Sequence, residues 1–254
     1  MKKFLLVILF NCSVSVFAQS NLPYKLGEYS EFTISFGPID VGYADLEIVE
    51  MRKIGNKNTF HIIGKGKTSL FFDWFFKVRD IYETYIDTST LLPLKFIRDI
   101  NEGGYCINQK YNFFHNDSIV QTQDSVFNIP LNAQDMLSAL FYARTFNKSD
   151  LKQSKSFFVP IFMDNENYLL EILYLNNEIL ETKWGKVNCM VFKPKMQEGR
   201  VFEDGEQMKV WITDDFNHLL MKVETKIWAG TIKAVLTDYK LLKRPLSIIQ
   251  TDNQ

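Results

Sequence analysis

The feature that most constrains the fold of this chain is a series of short segments in which apolar and polar residues alternate. The clearest of them, residues 31–36, reads Glu-Phe-Thr-Ile-Ser-Phe. Such alternation predicts a β-strand with one face buried. Turn-forming residues recur at intervals of roughly ten residues, which is the spacing expected of an antiparallel sandwich or barrel. The sequence therefore predicts an all-β, mainly antiparallel protein.

The same pattern extends along most of the chain. Outside a central hairpin, the predicted strands are residues 31–36, 41–51, 59–63, 105–115, 118–122, 155–163, 168–176, 178–182, 186–193, 207–213, 219–227 and 231–242. A loop is expected at residues 195–205 and a frayed tail from Lys243 onward. No internal repeat or low-complexity linker divides the chain, so we expect residues 19–254 to form a single β-rich domain.

Residues 70–104 predict a long central hairpin with an aromatic cluster at one end. Six of its first seven residues are apolar, and two β-rich arms then flank the polar turn Asp87-Thr88-Ser89-Thr90. The pair Gly103-Gly104 closes the segment. Two apolar, β-branched runs separated by a short polar turn are typical of a β-hairpin.

The charges on the two arms predict how the hairpin is paired. If it folds about Ser89, three pairs of opposite charge face each other, namely Arg79 with Asp99, Asp80 with Arg98, and Glu83 with Lys95. Opposed pairs of this kind stabilise a sheet by roughly 0.2–1 kcal/mol, and like charges oppose pairing. We therefore expect this register, with Tyr82 opposite Phe96 as the pair least affected by a bulge.

One segment, residues 132–146, departs from the strand pattern. Its apolar residues recur at helical spacing, and Asn132 is placed to cap the first turn. We expect one main amphipathic helix, packed on the sheet through Met136, Leu140 and Phe141.

Residues 1–18 have the features of a secretory signal, with two lysines before an apolar run and a small residue at the cleavage position. The apolar run is shorter than the ~20 residues that a membrane-spanning helix needs. We expect cleavage after Ala18 and a periplasmic mature protein without a transmembrane span. Lipid attachment at Cys12 is the disfavoured alternative, because Asn11 stands where a small residue is expected.

The charge balance narrows the classes of partner. Without the two lysines of the signal, the chain keeps 27 of 29 basic residues against 30 acidic ones, a net charge of about −3. No basic run stands out, which argues against nucleic acid or an anionic membrane surface as the main partner. An aromatic content of 15% favours a β protein with a large apolar interior.

Two cysteines, Cys106 and Cys189, remain after cleavage at Ala18. In an oxidising compartment they could form one disulfide, or each could be a free thiol within a strand. The sequence does not give the distance between them, so both alternatives stay open.

Motifs for catalysis or metal binding are few. None of the three histidines, His61, His115 and His218, lies at metal-ligand spacing from another His, Cys or carboxylate on its own element. There is no Gly-x-Ser-x-Gly elbow and no phosphate-binding glycine loop. We therefore expect no metal and no cofactor.

Paired carboxylates are the one catalytic arrangement that the sequence leaves open. A sheet could bring together acids of the central hairpin, namely Asp80, Glu83, Asp99 and Glu102. These acids are interleaved with basic residues, which favours structural ion pairs over catalysis.

The aromatic cluster at residues 70–76 is the best candidate for a binding feature. It carries apolar side chains on both faces of any strand, so only one face can meet the core. The other face could pack on helix 132–146, line an apolar cavity for a lipid-like ligand, or dock another envelope protein. For a ligand site we predict Phe71, Trp74, Phe75, Tyr82 and Phe96.

Four stretches, taken in order, resemble one family: GEYSEFTISFGPIDVGYADLEIVE, FKVRDIYETYIDTSTLLPLKFIRDINEGGY, DMLSALFYAR and MKVWITDDFNHLLMKVETKIWAGTIKAVLTDYKL. Over nearly all of the mature chain they are similar to the exported bacterial family called domain of unknown function 3108. The resemblance implies an envelope protein with a strongly curved, half-barrel-like sheet, similar to the periplasmic lipoprotein carrier and its receptor. The family has no assigned reaction, so no catalytic residues are transferred.

These interpretations favour a non-enzymatic envelope protein that binds an apolar or amphipathic ligand, or an envelope partner. The alternatives are an envelope hydrolase with carboxylates on the concave face and a purely structural interaction module. An apolar cavity of ~300–1,000 Å³ would favour the carrier, a pocket with two unpaired carboxylates the hydrolase, and a filled interior the interaction module.

Overall fold

A computed structural model of the protein describes residues 21–196 and 207–250. Within them, fourteen strands form one continuous antiparallel sheet. The predicted signal at residues 1–18, with Cys12, and most of the loop predicted at 195–205 lie outside the described residues.

The strands follow one another along the chain with short connections. Their bounds are β1 Tyr29–Phe36, β2 Ile39–Ile54, β3 Lys57–Thr68, β4 Val78–Asp87, β5 Pro93–Glu102, β6 Tyr105–Phe114, β7 Ile119–Gln121, β8 Val126–Asn128, β9 Ser156–Met163, β10 Glu166–Thr182, β11 Gly185–Met196, β12 Gln207–Thr213, β13 Leu220–Ile227 and β14 Gly230–Lys240. Two short helices, α1 Met136–Ala143 and α2 Lys148–Ser154, lie between β8 and β9.

The sheet is a pair of meanders joined in the middle. Its order is β8-β7-β6-β5-β4-β3-β2-β1-β14-β13-β12-β11-β10-β9, so every neighbour is also a neighbour in sequence except at β1 and β14. Alternating side chains and ten-residue turn spacing produce this arrangement, because short turns can only join antiparallel strands. The predicted all-β, mainly antiparallel class is confirmed.

The two ends of the sheet curl towards each other, and the segment before α1 spans the gap between them. The Gln134 amide N donates to Pro160 O at 2.8 Å, and the Phe162 amide N donates to Gln134 O at 2.9 Å. At the other end the Ile129 amide N donates to Ser118 O at 2.9 Å. The sheet is therefore strongly curved and half-barrel-like, and residues 129–135 bridge its seam.

Aromatic packing across the seam gives the two sheet ends a shared core. The Phe162 ring of β9 lies 5.2 Å from the Tyr111 ring, 6.5 Å from Phe113 and 5.6 Å from Phe127, centroid to centroid. Edge-to-face aromatic pairs at such distances add stability beyond their buried area. The buried side chains Ile48, Ile62 and Phe96 extend this core beneath the central strands.

Helix α1 forms within the predicted segment 132–146 but begins later than expected. Its N-cap is Asp135, whose Oδ1 accepts hydrogen bonds from the Leu137 and Ser138 amides, both at 2.8 Å. The Ser138 hydroxyl accepts from the Asp135 amide at 2.9 Å, which completes a capping box. Asn132 lies outside the helix with a φ of 60°. The second helix, α2, was not predicted.

The prediction of which residues α1 buries is wrong in part. Phe141 is 2% exposed, but Met136 is 40% exposed and Leu140 is only half-buried. The Phe141 ring packs against the Tyr24 ring at 5.2 Å, so the core-facing side of α1 is the one that carries Leu137 and Phe141. Because both sides of the helix are apolar, helical spacing alone could not identify this face.

The central hairpin forms between β4 and β5, but the predicted register is wrong by two residues. Tyr82 lies opposite Arg98, and Phe96 lies opposite Thr84. The turn closes by a bond from the Asp87 amide to Leu92 O at 2.9 Å, with Leu91 at a φ of 60°. The register then shifts between Tyr85 and Ile86, which adds one more residue to the second arm.

The three predicted ion pairs of the hairpin, Arg79 with Asp99, Asp80 with Arg98 and Glu83 with Lys95, are therefore not the pairs that form. Arg79 Nη2 lies 2.6 Å from Asp73 Oδ2, and Arg98 forms an ion pair with Asp164. Glu83 Oε2 lies 2.8 Å from His61 Nε2. The Lys95 ammonium lies 5.2 Å from the centre of the Tyr85 ring.

Three further differences from the sequence predictions concern the extent of strands and of the C-terminal tail. Residues 168–176 and 178–182 form one strand, β10, with a register shift beside Leu175. The short strand β8 was missed. The described part of the tail, residues 243–250, is not frayed, because Leu246 is buried and the Ile249 amide donates to Lys186 O at 2.8 Å.

Cys106 and Cys189 are free thiols, so the disulfide alternative is not formed. Cys106 is exposed on β6, and Cys189 is buried on β11. Burial raises the pKa of the Cys189 thiol to about 12, so it behaves as a core residue.

The two sides of α1 give a direct test of this packing. We expect Phe141→Ala to lower the free energy of unfolding by ~3–5 kcal/mol, as for other buried phenylalanines. Leu140→Ala is the matched control and should cost less than about 1 kcal/mol, because Leu140 is half-exposed and its removal opens no sealed core volume. Urea denaturation measures both, and equal losses would contradict the assignment of the core-facing side.

Candidate functional site

An apolar cavity lies between helix α1 and strands β9 to β12. Its volume is about 300 Å³. Four of the eight methionines in the chain line it, namely Met136, Met163, Met190 and Met208. Methionine has a flexible, polarisable side chain that adapts to irregular apolar shapes, so this lining favours variable apolar contacts.

One side of α1 forms a wall of the cavity. Met136, Ala139, Leu140 and Ala143 all line it, and their spacing places them on a single helical stripe. This stripe is distinct from the core-facing Leu137 and Phe141. The opposite wall comes from the strands, through Ile172 of β10, Phe192 of β11 and Val210 of β12 among others.

A second cavity of about 310 Å³ lies against the same helix, next to strands β2, β3 and β4. Its lining is also mainly apolar, but Asp45, Lys65 and Asp80 border it. Gly64 keeps this space open, since a Cβ there would lie 3.0 Å from Leu46 Cδ2. Met136 lines both cavities, so one flexible side chain stands between them.

Buried polar contacts fix the C-terminal end of α1. The Arg144 guanidinium lies 2.6 Å from Glu28 Oε1 and donates to Asn217 O at 3.0 Å. Arg144 and Glu28 are both almost fully buried, and the guanidinium also lies 5.2 Å from the centre of the Tyr24 ring. The His218 ring Nδ1 lies 2.7 Å from Arg144 O. The helix is thereby tied to the N-terminal segment and to the β12–β13 connection.

The N-terminal end of α1 is fixed in the same way. The Thr84 hydroxyl donates to Asp135 Oδ2 at 2.6 Å, in addition to the two capping bonds. Burial raises the pKa of the Asp135 carboxyl to about 6, although the donors from Thr84, Ser138 and Leu137 oppose that change. Helix α1 is thus a rigid wall between the two cavities.

The four acids considered for catalysis divide between the two faces of the sheet: Asp80 and Glu102 lie together on one face, and Glu83 and Asp99 lie on the other. Asp80 borders the second cavity, where burial and the neighbouring Glu102 raise its pKa to about 6. Glu83 instead points to a cluster in which the His61 ring stacks on the Tyr85 ring at 4.2 Å. In the part of the chain that the structure describes, no group of three His, Cys, Asp or Glu side chains could hold a metal ion.

The five residues predicted for a ligand site are not brought together. Phe71, Trp74 and Phe75 lie on the β3–β4 connection with exposed fractions of 70%, 92% and 73%. Tyr82 lines the second cavity, and Phe96 is buried in the core, stacked on Tyr111 at 5.6 Å. The aromatic cluster is therefore exposed, and it neither packs on helix α1 nor lines either of the two cavities.

Sequence reasoning did not identify the residues that line the cavity between α1 and β9–β12 as a site. The signal available was the second apolar stripe of α1, at Met136, Leu140 and Ala143, which a single packed face does not require. Strands β11 and β12 carry apolar residues towards both of their faces, which is a further indication of a second apolar space.

An open, curved antiparallel sheet wrapped round a short helix defines a class of barrel-like β protein. The chain matches the family described as protein of unknown function, DUF3108, over residues 31–237. The protein therefore belongs to this family, as the sequence resemblance indicated.

A solved structure shows the same fold. The chain is similar to the β-barrel-like protein of domain of unknown function DUF1849 from Brucella abortus, with a TM-score of 0.56 and 8% identity over 86% of this chain and 99% of that chain. A protein of Bacteroides fragilis with a YmcC-like fold aligns with a TM-score of 0.33 and 10% identity over 87% of this chain and 98% of that one. Comparison with curated proteins finds no match.

Neither of the two helices that the structure describes is long and apolar enough to cross a membrane.

The buried cap of α1 predicts a pH dependence of stability. Because the folded-state pKa of Asp135 is raised from 3.8 to about 6, its contribution to stability is complete at low pH and is lost as pH rises through that value. Asp135→Asn keeps an acceptor for the cap and removes the titration. We expect the variant to gain up to roughly 3 kcal/mol relative to wild type between pH 4 and pH 7.

Urea denaturation of both proteins across this pH range measures the difference. Asp80 also has a raised pKa, so the wild-type curve alone contains two contributions, and the difference between the curves isolates Asp135. A constant difference from pH 4 to pH 7 would show that Asp135 is ionised throughout.

Proposed function

We propose that the protein is an exported, non-enzymatic carrier or receptor that binds an apolar or amphipathic molecule along helix α1. The observation that carries this proposal is the cavity between α1 and β9–β12, which is lined almost throughout by aliphatic, aromatic and methionine side chains. Small-molecule sites in proteins are concave, mainly apolar and few in number.

The size of the cavity points to a slim ligand. A volume of about 300 Å³ lies at the lower end of the ~300–1,000 Å³ common for ligand pockets. It suits a single acyl chain or a small apolar molecule. A longer ligand would reach the second cavity once the Met136 side chain rotates, because Met136 borders both spaces.

The polarity of the two cavities differs in a way that suits an amphipathic ligand. The cavity between α1 and β9–β12 has one polar residue in its lining, His218, whereas the second is bordered by Asp45, Lys65 and Asp80. An apolar chain would occupy the first space and a polar group would lie at the charged border of the second. The fixed ends of α1 keep this site formed without ligand, which lowers the entropy lost on binding.

Export to the periplasm is part of the proposal. Its support is the signal pattern of residues 1–18, with its basic start, its apolar run and Ala18 at the cleavage position. An apolar cavity in an exported protein suits a molecule that must cross an aqueous compartment.

A pair of cavity-filling substitutions tests the site. Ala143→Phe should fill the cavity between α1 and β9–β12 and weaken binding of a fluorescent fatty acid by roughly tenfold or more, a change of about 1.4 kcal/mol or greater. Ala234→Phe fills the second cavity and is the matched control, because Ala234 lies on β14 away from the first space. Titration of the probe by fluorescence, with urea denaturation of each variant, separates lost binding from lost stability.

The outcomes distinguish three arrangements. If only Ala143→Phe weakens probe binding, the ligand occupies the cavity between α1 and β9–β12. If both variants weaken it, the ligand extends past Met136 into the second cavity. Probe binding that survives both substitutions would refute the site. Native mass spectrometry and lipid extraction of protein purified from its own periplasm would then identify the natural ligand, and a protein free of any apolar molecule would weigh against a carrier.

A further inference from the structure

Four strand connections bring exposed aromatic side chains to one end of the sheet. Because strands alternate in direction, the connections β1–β2, β3–β4, β5–β6 and β13–β14 all lie at the same end, and they are consecutive in the sheet order. Each carries exposed apolar residues. We name these together the aromatic rim: Phe36, Ile39, Leu70, Phe71, Trp74, Phe75, Phe76, Tyr105 and Trp228.

The large apolar side chains of this rim are far more exposed than is usual on the surface of a soluble protein. Trp228 is 98% exposed, and Trp74 is nearly as open to water. Scattered apolar residues are normal on protein surfaces, but a set of large side chains grouped at one end marks an interaction site.

The turn that carries most of the rim is rigidly built. Asp73 Oδ1 accepts from the Thr68 hydroxyl at 2.6 Å, and its Oδ2 lies 2.6 Å from Arg79 Nη2. The Thr68 hydroxyl in turn accepts from the Val78 amide at 3.0 Å. These bonds close the turn at its base, so Phe71 and Trp74 are held outward on a short 3-10 helix, Phe72–Trp74.

Aromatic rings of the rim pack against the neighbouring connections at this end of the sheet. A Cβ at Gly103 would lie 2.4 Å from Phe76 Cε2, so the Phe76 ring rests directly on the β5–β6 turn. The Phe36 ring rests likewise on Gly230, where a Cβ would lie 3.0 Å from Phe36 Cζ. The rim is therefore one continuous structural feature that crosses several turns.

We propose that the aromatic rim docks the protein on the surface of a lipid bilayer. Its large side chains come from the tips of four neighbouring connections and are largely exposed, so together they can enter the interfacial layer of a bilayer. Tryptophan and tyrosine favour the boundary between lipid headgroups and acyl chains, because each combines an apolar ring with a polar atom.

The charges around the tips complement an anionic lipid surface. Lys67, Lys77 and Lys226 are exposed and lie within a few residues of the apolar tips. Asp73 is engaged by Arg79, and among the described residues Asp40 and Glu102 also lie close to these tips. The sequence contains no basic run because these lysines are apart in sequence, and the alternation of strand direction places them at one end of the sheet.

The cavity between α1 and β9–β12 extends to the same end of the sheet. Met163, Pro194 and Met208 line it, and they lie near the ends of β9, β11 and β12 that share this side with the rim. An apolar molecule could then pass between bilayer and cavity without crossing water. This link rests on the proposed ligand site, whereas docking by the rim does not.

Flotation with vesicles of phosphatidylethanolamine and phosphatidylglycerol tests the docking. Wild type should float with the vesicles, and the triple variant Phe71→Ser, Trp74→Ser, Trp228→Ser should lose at least roughly tenfold in affinity. The matched control is Leu131→Ser, Phe158→Ser, Ile179→Ser, which removes three exposed apolar side chains outside the rim and should bind as wild type. The proposal would be overturned if wild-type protein stayed in the unbound fraction at the bottom of the gradient, or if the rim variant bound the vesicles equally well.

Quenching by brominated lipids locates the inserted residues. Trp74 and Trp228 should be quenched on binding, whereas Trp211 is buried in the protein and Trp184 packs on Tyr239. The variant Trp74→Phe, Trp228→Phe keeps the apolar tips, so it should still float but lose the quenching. Quenching that persists in this variant would refute insertion of the rim.

The ligand site and the docking surface can fail independently. Ala143→Phe should weaken probe binding as above and leave flotation unchanged, because Ala143 is the last residue of α1 and lines the cavity, away from the rim. Flotation lost together with the cavity would overturn docking by the rim itself. Probe binding without flotation would leave the cavity as a ligand site and remove the membrane from its function.

Discussion

The structure depends on how an open sheet covers its two edges. Exposed edge strands present unpaired backbone groups, and this sheet ends in the very short β8 on one side and β9 on the other. Residues 129–135 cover the gap, with Gln134 bonded through both its amide N and its carbonyl O to β9. The same segment ends in Asp135, the cap of α1. The element that bridges the seam therefore also sets the start of the helix inside the curve.

Buried polar contacts fix both ends of α1. A buried ion pair such as Arg144 with Glu28 costs several kcal/mol of desolvation per ion unless further bonds compensate. Arg144 has such bonds, to Asn217 O and to Pro23 O, and Asp135 has three donors at the other end. With both ends fixed in this way, one side of the helix packs on the core and the other need not. An apolar space can therefore remain beside it.

The sequence predicted those features that depend on local pattern. Alternation and turn residues identified most strands, and parity placed Tyr82 and Phe96 on the same face in either register. A shift of two residues leaves every side chain on its predicted face, so the hydrophobic pattern could not reveal the error. The backbone of Leu91 and the bulge after Tyr85 decided the register instead. Apolar content likewise could not show that residues 70–76 face water, because the pattern does not identify what covers an apolar surface.

The two apolar features at one end of the molecule follow from the same topology. A meander places alternate connections on one side, and a helix anchored by Arg144 and Asp135 at its two ends lines a cavity that extends to that side. An open apolar cavity and an exposed aromatic rim both leave hydrocarbon in contact with water, at a cost of roughly 25 cal/mol for each Å² that remains wet. A single class of molecule, with an acyl chain and a polar head, would remove both costs. The shape of the sheet, its unfilled interior and its exposed turns then have one common physical explanation.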